Sequence, residues 1–223
     1  MRDLYSVSLE RGELAFTYLG YSCVAIRTLE KVILVDPADL VSPADLAGPL
    51  DLLVYTHEHY DHFSLSTAIS LYEKTKAHVV GNPTVYRKLQ GKIPGDKLHE
   101  ARSGASVEAA GVKLHAIKAI HPGEHPLLYI MEVGALAMLH GADSGYTGEL
   151  EGHRAQIAFV PVGSPSPTAS VGDALKMVEA VGAKVAVPIH GTPDEMEQFR
   201  SRAEARGISV VVPSRGALLK VRW

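Results

Sequence analysis

Thr56-His57-Glu58-His59-Tyr60-Asp61-His62 follows directly on the apolar run Leu52-Leu53-Val54-Tyr55, and this junction decides how the chain is read. His57, His59, Asp61 and His62, four side chains that bind metals strongly, fall within six residues, and three of the chain's 11 histidines are among them. A surface loop rich in histidine is the plain alternative, but it does not account for such crowding at the end of a strand. If the residues after Tyr55 continue that strand, period-two alternation sets His57, His59 and Asp61 on one side and His62 on the other. One ion does not easily take all four. The chain must turn between Tyr60 and Phe63, and the natural division assigns His57 and His59 to one ion, Asp61 and His62 to a second.

These residues read His-x-His-x-Asp-His, and in this the chain resembles the metallo-β-lactamase superfamily. That family also places a lone His, an Asp and a last His at the carboxyl ends of later strands. Here His121 ends the run Val112 to Ile120, Asp143 follows the strand-like Ala135 to Leu139, and His190 closes Lys184 to Ile189. The resemblance implies that His57, His59 and His121 hold one divalent ion, that Asp61, His62 and His190 hold a second, and that Asp143 bridges them. It also implies that Asp36 braces the metal loop from behind, although Asp36-Pro37 reads equally as a plain strand stop. The fold implied is α/β, a four-layer αββα sandwich. The short chain and His190-Gly191-Thr192 further resemble the branch containing ascorbate 6-phosphate lactonase.

Composition is consistent with one domain over residues 1–223, since 46% hydrophobic residues suffice for a continuous core. The balance of 22 Lys and Arg against 25 Asp and Glu, a formal charge of -3, provides no general field for nucleic acid. No signal-like or membrane-spanning apolar run occurs, so the expected location is cytoplasmic. The single cysteine, Cys23, cannot form an internal disulfide and reads as a small buried hydrophobe.

Along the chain, a meander of strands near Leu14 to Leu19, Cys23 to Thr28 and Lys31 to Val35 precedes the buried strand Asp51 to Tyr55. Ser64 caps a helix from Leu65 to about Lys74, whose start is expected to help hold an anionic substrate. Pro83 opens a second helix reaching Gln90. Ser170 with Asp173, and Thr192 with Glu195, resemble capping boxes for helices ending at Val181 and at Gly207. A doubly wound nucleotide-binding fold is the rival architecture, but no Gly-rich phosphate loop follows the first strand.

Nitrogen and carboxylate ligands suit zinc first, with manganese or iron as alternatives. The expected activity is metal-dependent hydrolysis of an ester, lactone or phosphoester of a small anionic molecule by a hydroxide held between two ions, with Asp61 orienting it or taking its proton. A nuclease or phosphodiesterase acting on nucleic acid, a non-haem iron redox protein on the same fold, and a metal-stabilised interaction protein are the rivals. His125 is either a proton donor to the leaving group or an exposed turn residue. His140 reads as a support for the Asp143 loop rather than a ligand. Glu58 and Tyr60 are expected to face away from the metals, with Tyr60 able to line the pocket. The remaining histidines, His78, His99, His115 and His153, are read as structural or surface residues. A homo-oligomer completing the pocket is also expected.

Overall fold

Residues 2–223 are described by a computed structural model of the chain. A short helix not anticipated from the sequence, α1 (Arg2–Ser6), leads into the meander β1 (Glu13–Gly20), β2 (Cys23–Arg27) and β3 (Val32–Val35). Three strands then alternate with helices: β4 (Leu52–Tyr55), α2 (Leu65–Thr75), β5 (His78–Gly81), α3 (Pro83–Leu89) and β6 (Leu98–Glu100). The second half repeats this plan. An antiparallel run β7 (Ser106–Ala109), β8 (Val112–Lys118), β9 (Leu127–Val133) and β10 (Leu136–His140) is followed by β11 (Ile157–Pro161), α4 (Val171–Val181), β12 (Val185–Ile189), α5 (Pro193–Glu204) and β13 (Ser209–Val210). The last strand, β14 (Leu218–Arg222), returns to pair antiparallel with β1.

The strands form two seven-stranded sheets, β14-β1-β2-β3-β4-β5-β6 and β13-β12-β11-β10-β9-β8-β7. In each, antiparallel pairs give way to parallel ones, at β3 with β4 and at β10 with β11. Alternation sorts the first sheet's side chains. Leu14, Phe16, Val24, Ile26, Ile33 and Val54 enter the core between the sheets, where Phe16 meets Phe159 edge to face at 5.3 Å. Ala15, Cys23, Ala25, Leu34, Leu53 and Tyr55 face the other way and pack with Leu4, Ala68, Leu71, Val85 and Leu89 of α1 to α3. Both faces are therefore buried, as the unbroken apolar run of β4 requires. Helices α4 and α5 cover the second sheet through residues including Leu175, Met177, Val178, Met196 and Phe199. This is the expected αββα sandwich. Cys23 is free and buried.

Local signals set most helix ends. Ser64 caps α2, Asn82 caps α3 with Pro83 behind it, and Thr192 and Glu195 close a reciprocal box on α5. The box expected at α4 is only half formed. Ser170 Oγ accepts from the Asp173 N–H at 3.0 Å, but the shorter Asp173 side chain bonds Ser170 Oγ and Lys176 instead of reaching back to the backbone. Strand β8 also stops short of the expected Ile120. Its ladder ends at Lys118 opposite Leu127, since the next partner, Pro126, has no N–H to donate. Ile120 crosses instead to bridge Gly145. Among the described residues no helix is long and apolar enough to cross a membrane.

Candidate metal centre

The motif leaves β4 at Tyr55 and does not continue as a strand, so the alternation expected through Asp61 does not operate. The chain turns at once: the N–H groups of His62 and Phe63 both donate to the His59 carbonyl, at 3.0 and 2.8 Å. Phe63 then packs edge to face on Tyr55 at 5.2 Å, so an aromatic contact closes the base of the loop. Within this turn the ligand types separate into two groups. Atoms of His57, His59, His121 and Asp143 lie within 4.8 Å of one another, as do atoms of Asp61, His62 and His190. His57 and His59 fall in one group and Asp61 and His62 in the other, with the turn beginning at His59, earlier than the Tyr60 to Phe63 span expected for it.

Three later segments bring in the remaining residues. His121 is fixed beside the Asp143 loop because Gly145 N–H donates to the Ile120 carbonyl and Ile120 N–H donates to Ser144 Oγ. Asp143 follows Gly141, where an added Cβ would lie 2.7 Å from Pro161 Cδ, so only glycine lets the strands close here. His190 follows directly on β12 with φ +46°, its N–H donating to the Tyr21 carbonyl and its carbonyl accepting from Gly163. Tyr21, Asp36 and Ala142 share this left-handed conformation. Strained non-glycine backbone thus collects around the cluster, held there by its surroundings.

Distances inside the cluster are short. His57 Nε2 and His121 Nε2 lie 3.0 and 3.2 Å from His59 Nδ1. Tetrahedral bonds of about 2.0–2.1 Å to one zinc would place such nitrogens about 3.3 Å apart. Asp143 Oδ2 stands between the groups, 3.1 Å from His121 Nε2, 3.5 Å from His62 Nε2 and 4.0 Å from His190 Nε2. Asp61 Oδ2 is 3.7 Å from His62 Nε2 and 3.6 Å from His190 Nε2.

Hydrogen bonds behind the cluster decide which lone pairs face inward. Asp36 is fully buried and accepts from Thr56 N–H at 2.8 Å, from Thr56 Oγ1 at 2.6 Å and from His62 Nδ1 at 2.8 Å. Having given its proton to Asp36, the Thr56 hydroxyl can only accept from His57 Nδ1, 3.1 Å away. Thr168 Oγ1 likewise donates to the Asp143 carbonyl and accepts from His121 Nδ1 at 3.0 Å. With each Nδ1 acting as donor, Nε2 is the nitrogen of His57, His62 and His121 that is directed at the cluster, available as a ligand once it carries no proton. His140 does not enter it. Its Nε2 bonds the Ser22 carbonyl at 2.9 Å and its Nδ1 accepts from Ala142 N–H, steadying the backbone just before Asp143.

Electrostatics follow from this burial. His57 is lowered to about 2 by desolvation and by the neighbouring His62. Burial alone would lower His62, but the carboxylates of Asp36 and Asp143 outweigh it and raise it to about 10. Burial opposes the charge on Asp61, yet His190 and His62 hold it at about 2. Asp143 is held below its ordinary value against burial by the same contact with His62. Meanwhile His62 Nε2, Asp143 Oδ1 and both ring nitrogens of His190 are buried without a hydrogen-bond partner. Such atoms are costly unless something satisfies them, and convergent lone pairs are what a cation satisfies. The residues fit a metal.

Other expected positions fall elsewhere. His125 is exposed, and its carbonyl accepts from Asn82. His78 pairs with His99 at 2.9 Å, and His115 lies against His153, both outside the cluster. Tyr60 is 80% exposed. The start of α2 is already faced by a carboxylate, since Thr67 Oγ1 donates to Asp39 and bonds to Ser64 and Thr67 lower that acid's pKa. Sequence reasoning missed Thr56 and Thr168, because a lone hydroxyl carries no spacing signal. It also missed Glu58, which accepts from the Glu124 N–H and the Asn82 amide, both at 3.2 Å, and so ties the motif to the loop carrying His121.

Two sheets joined at such a cluster define the metallo-β-lactamase fold, and the class is that of a metal-dependent hydrolase. The chain belongs to the β-lactamase superfamily, whose domain model matches residues 15–190. A Pyrococcus furiosus protein of the UPF0173 group is 32% identical over 203 residues, covering 87% of this chain and 93% of its own. A UPF0173 metal-dependent hydrolase of Thermoplasma volcanium is 28% identical over 215 residues, with the same coverage. Among solved structures, Igni18, a metallo hydrolase from Ignicoccus hospitalis, superposes with a TM-score of 0.78 at 22% identity over 95% of this chain and 99% of its own.

Proposed function

We propose that residues 1–223 form one hydrolase domain that binds two divalent ions, zinc by preference, and cleaves an ester, lactone or phosphoester of a small anionic molecule. The pairing of β14 with β1 supports a single unit, since the last strand completes the sheet the first one begins. His57, His59 and His121 would hold one ion and Asp61, His62 and His190 the other, with Asp143 between them. The observation that carries the reading is the set of buried, unpartnered atoms on His62, Asp143 and His190 facing the three other histidines. When bound, such ions supply Lewis acidity, lowering the pKa of water from about 15.7 toward 7 and offsetting charge that develops on the scissile group.

The chain's own residues supply the rest. Asp36, Thr56 and Thr168 keep Nε2 of three histidines directed inward without rearrangement of the rings, His62 giving up its Nε2 proton on binding. Asp61, ionised throughout the working pH range, accepts a hydrogen bond from water and orients it. Elemental analysis after reconstitution should find two ions per chain, and a panel of phosphodiesters, phosphomonoesters, lactones and thioesters should identify the bond. Asp61→Ala and His190→Ala should each lower hydrolysis by orders of magnitude while circular dichroism stays unchanged. Full activity in both variants would sink the assignment, stable saturation at one ion with activity would point to a mononuclear centre, and cleavage of RNA or single-stranded DNA without turnover of small esters would refute the substrate class.

A further inference from the structure

A cavity of about 290 Å³ opens beside His190, lined by Tyr18, Gly20, Tyr21, Ser164, Pro165 and Gly191, with Arg215 at its edge. Apart from His190, Arg215 is its only ionisable nitrogen side chain, and no carboxylate lines it. Some exposed arginines pair with acids, as Arg87 does with Glu124, Arg206 with Glu179 and Arg222 with Glu10 and Glu13, while Arg27 and Arg154 bond backbone carbonyls. Among the described residues Arg215 makes no such pair. An adjoining cavity contains Glu197, but that carboxylate is engaged by Arg200.

The backbone that carries the exposed Arg215 is anchored. The Gly216 N–H donates to the Tyr18 carbonyl at 2.8 Å and the Ala217 N–H closes a turn on Ser214, anchoring the segment on β1. The guanidinium lies across Gly20, where an added Cβ would sit 3.5 Å from its Nε, and Gly20 has φ +121°. A side chain at Gly20 would strain the hairpin and crowd the guanidinium. The nearby Glu195 carboxylate is occupied by the N–H groups of Thr192 and Ser164, so it does not compete for the cation. What remains is a recess next to the candidate metal centre whose free side-chain groups, the Arg215 guanidinium and the Tyr21 and Ser164 hydroxyls, are hydrogen-bond donors.

We propose that Arg215, with Tyr21 and Ser164, forms a subsite for the non-reacting oxyanion of the substrate, a phosphate or carboxylate group, beside His190. The proposal rests on the hydrolase reading for its place in catalysis, but the binding itself does not require the metals. A planar guanidinium matches such an oxyanion with two parallel charge-assisted bonds, which an ammonium does not reproduce. The subsite also supplies the anion contact that the start of α2, faced by Asp39, does not offer.

The test measures binding of phenyl phosphate and of benzoate to the metal-free protein by ligand-observed NMR, for the wild type, Arg215→Ala, Arg215→Lys and, as a control for lost surface charge, Arg206→Ala. Arg215→Ala should weaken at least one probe by about tenfold to a hundredfold, Arg215→Lys by less, and Arg206→Ala should match the wild type. The stronger probe identifies the headgroup. No binding to the wild type, or equal weakening by Arg206→Ala and Arg215→Ala, overturns the subsite. In parallel, the zinc-loaded wild type is assayed on 4-nitrophenyl hydrogen succinate and neutral 4-nitrophenyl butyrate. Failure to cleave either ester, together with no turnover across the panel of phosphoesters, lactones and thioesters, counts against the hydrolase reading while leaving the binding result to stand. Where cleavage occurs, the ratio of kcat/KM for the anionic over the neutral ester should fall at least tenfold in Arg215→Ala, and an unchanged ratio overturns the subsite's role.

Discussion

Replacing Asp36 separates fold stability from metal binding. Its carboxylate accepts three hydrogen bonds in a fully buried setting, at 2.8 Å from Thr56 N–H, 2.6 Å from Thr56 Oγ1 and 2.8 Å from His62 Nδ1. Asp36→Ala leaves all three donors unpaired, and breaking a buried charged pair this way costs about 3–5 kcal/mol. Alanine at φ +46° adds a little, since Asp and Asn tolerate the left-handed region better. Asp36→Asn keeps the shape, but its NH₂ must replace one of the two oxygens. Placed at Oδ1 it would meet the fixed Thr56 N–H, so it takes the Oδ2 side, facing Thr56 Oγ1 and His62. His62 then accepts at Nδ1 and carries its proton on Nε2, the atom that should face the metal. The expected order therefore inverts. Asp36→Asn destabilises less than Asp36→Ala, by about 1–3 kcal/mol, yet weakens zinc binding at least as much, by about 10- to 100-fold. Urea denaturation of the metal-free proteins and zinc competition against a chromogenic chelator measure the two quantities. Wild-type zinc affinity in Asp36→Asn, or a loss below about 1 kcal/mol in Asp36→Ala, would refute the reasoning.

His62 also predicts a pH dependence. In the metal-free protein its pKa is raised from 6.5 to about 10, so the stability that its charge contributes is fully present below pH 6.5 and lost as pH rises through 10. Denaturation midpoints of the metal-free protein should fall across that window, and flatter behaviour is expected in Asp36→Asn. For the same reason, zinc binding near pH 8 should release a proton, seen as a calorimetric enthalpy that varies with the buffer's ionisation enthalpy; no variation would exclude a charged His62. Glu58→Ala should loosen the loop 122–126, raising its amide exchange and lowering zinc affinity by up to about tenfold, with Glu58→Gln intermediate. Tyr60→Ala, at an 80% exposed position, should change neither quantity, and equal effects from both would remove the clamp from the account.

The sequence by itself pointed to the candidate ligand types and their order along the chain, and determined most helix starts. Metal ligands are specified by chemistry that few side chains share, and caps such as Ser64 and Thr192 act over three residues. The buried run of β4 likewise announced a strand covered on both faces. Tertiary structure alone decided which histidine lone pairs face inward, because those protons are fixed by partners far away along the chain: Asp36 lies 26 residues from His62, and Thr168 lies 47 from His121. It also began the turn of the motif at His59, ahead of the Tyr60 to Phe63 span expected for it, gave Glu58 its hold on the His121 loop, and set Arg215 beside His190. Periodicity records how a residue faces its own strand or helix. Which unrelated segment a carboxylate, hydroxyl or guanidinium meets depends on how two sheets pack, and one-dimensional spacing carries no trace of that.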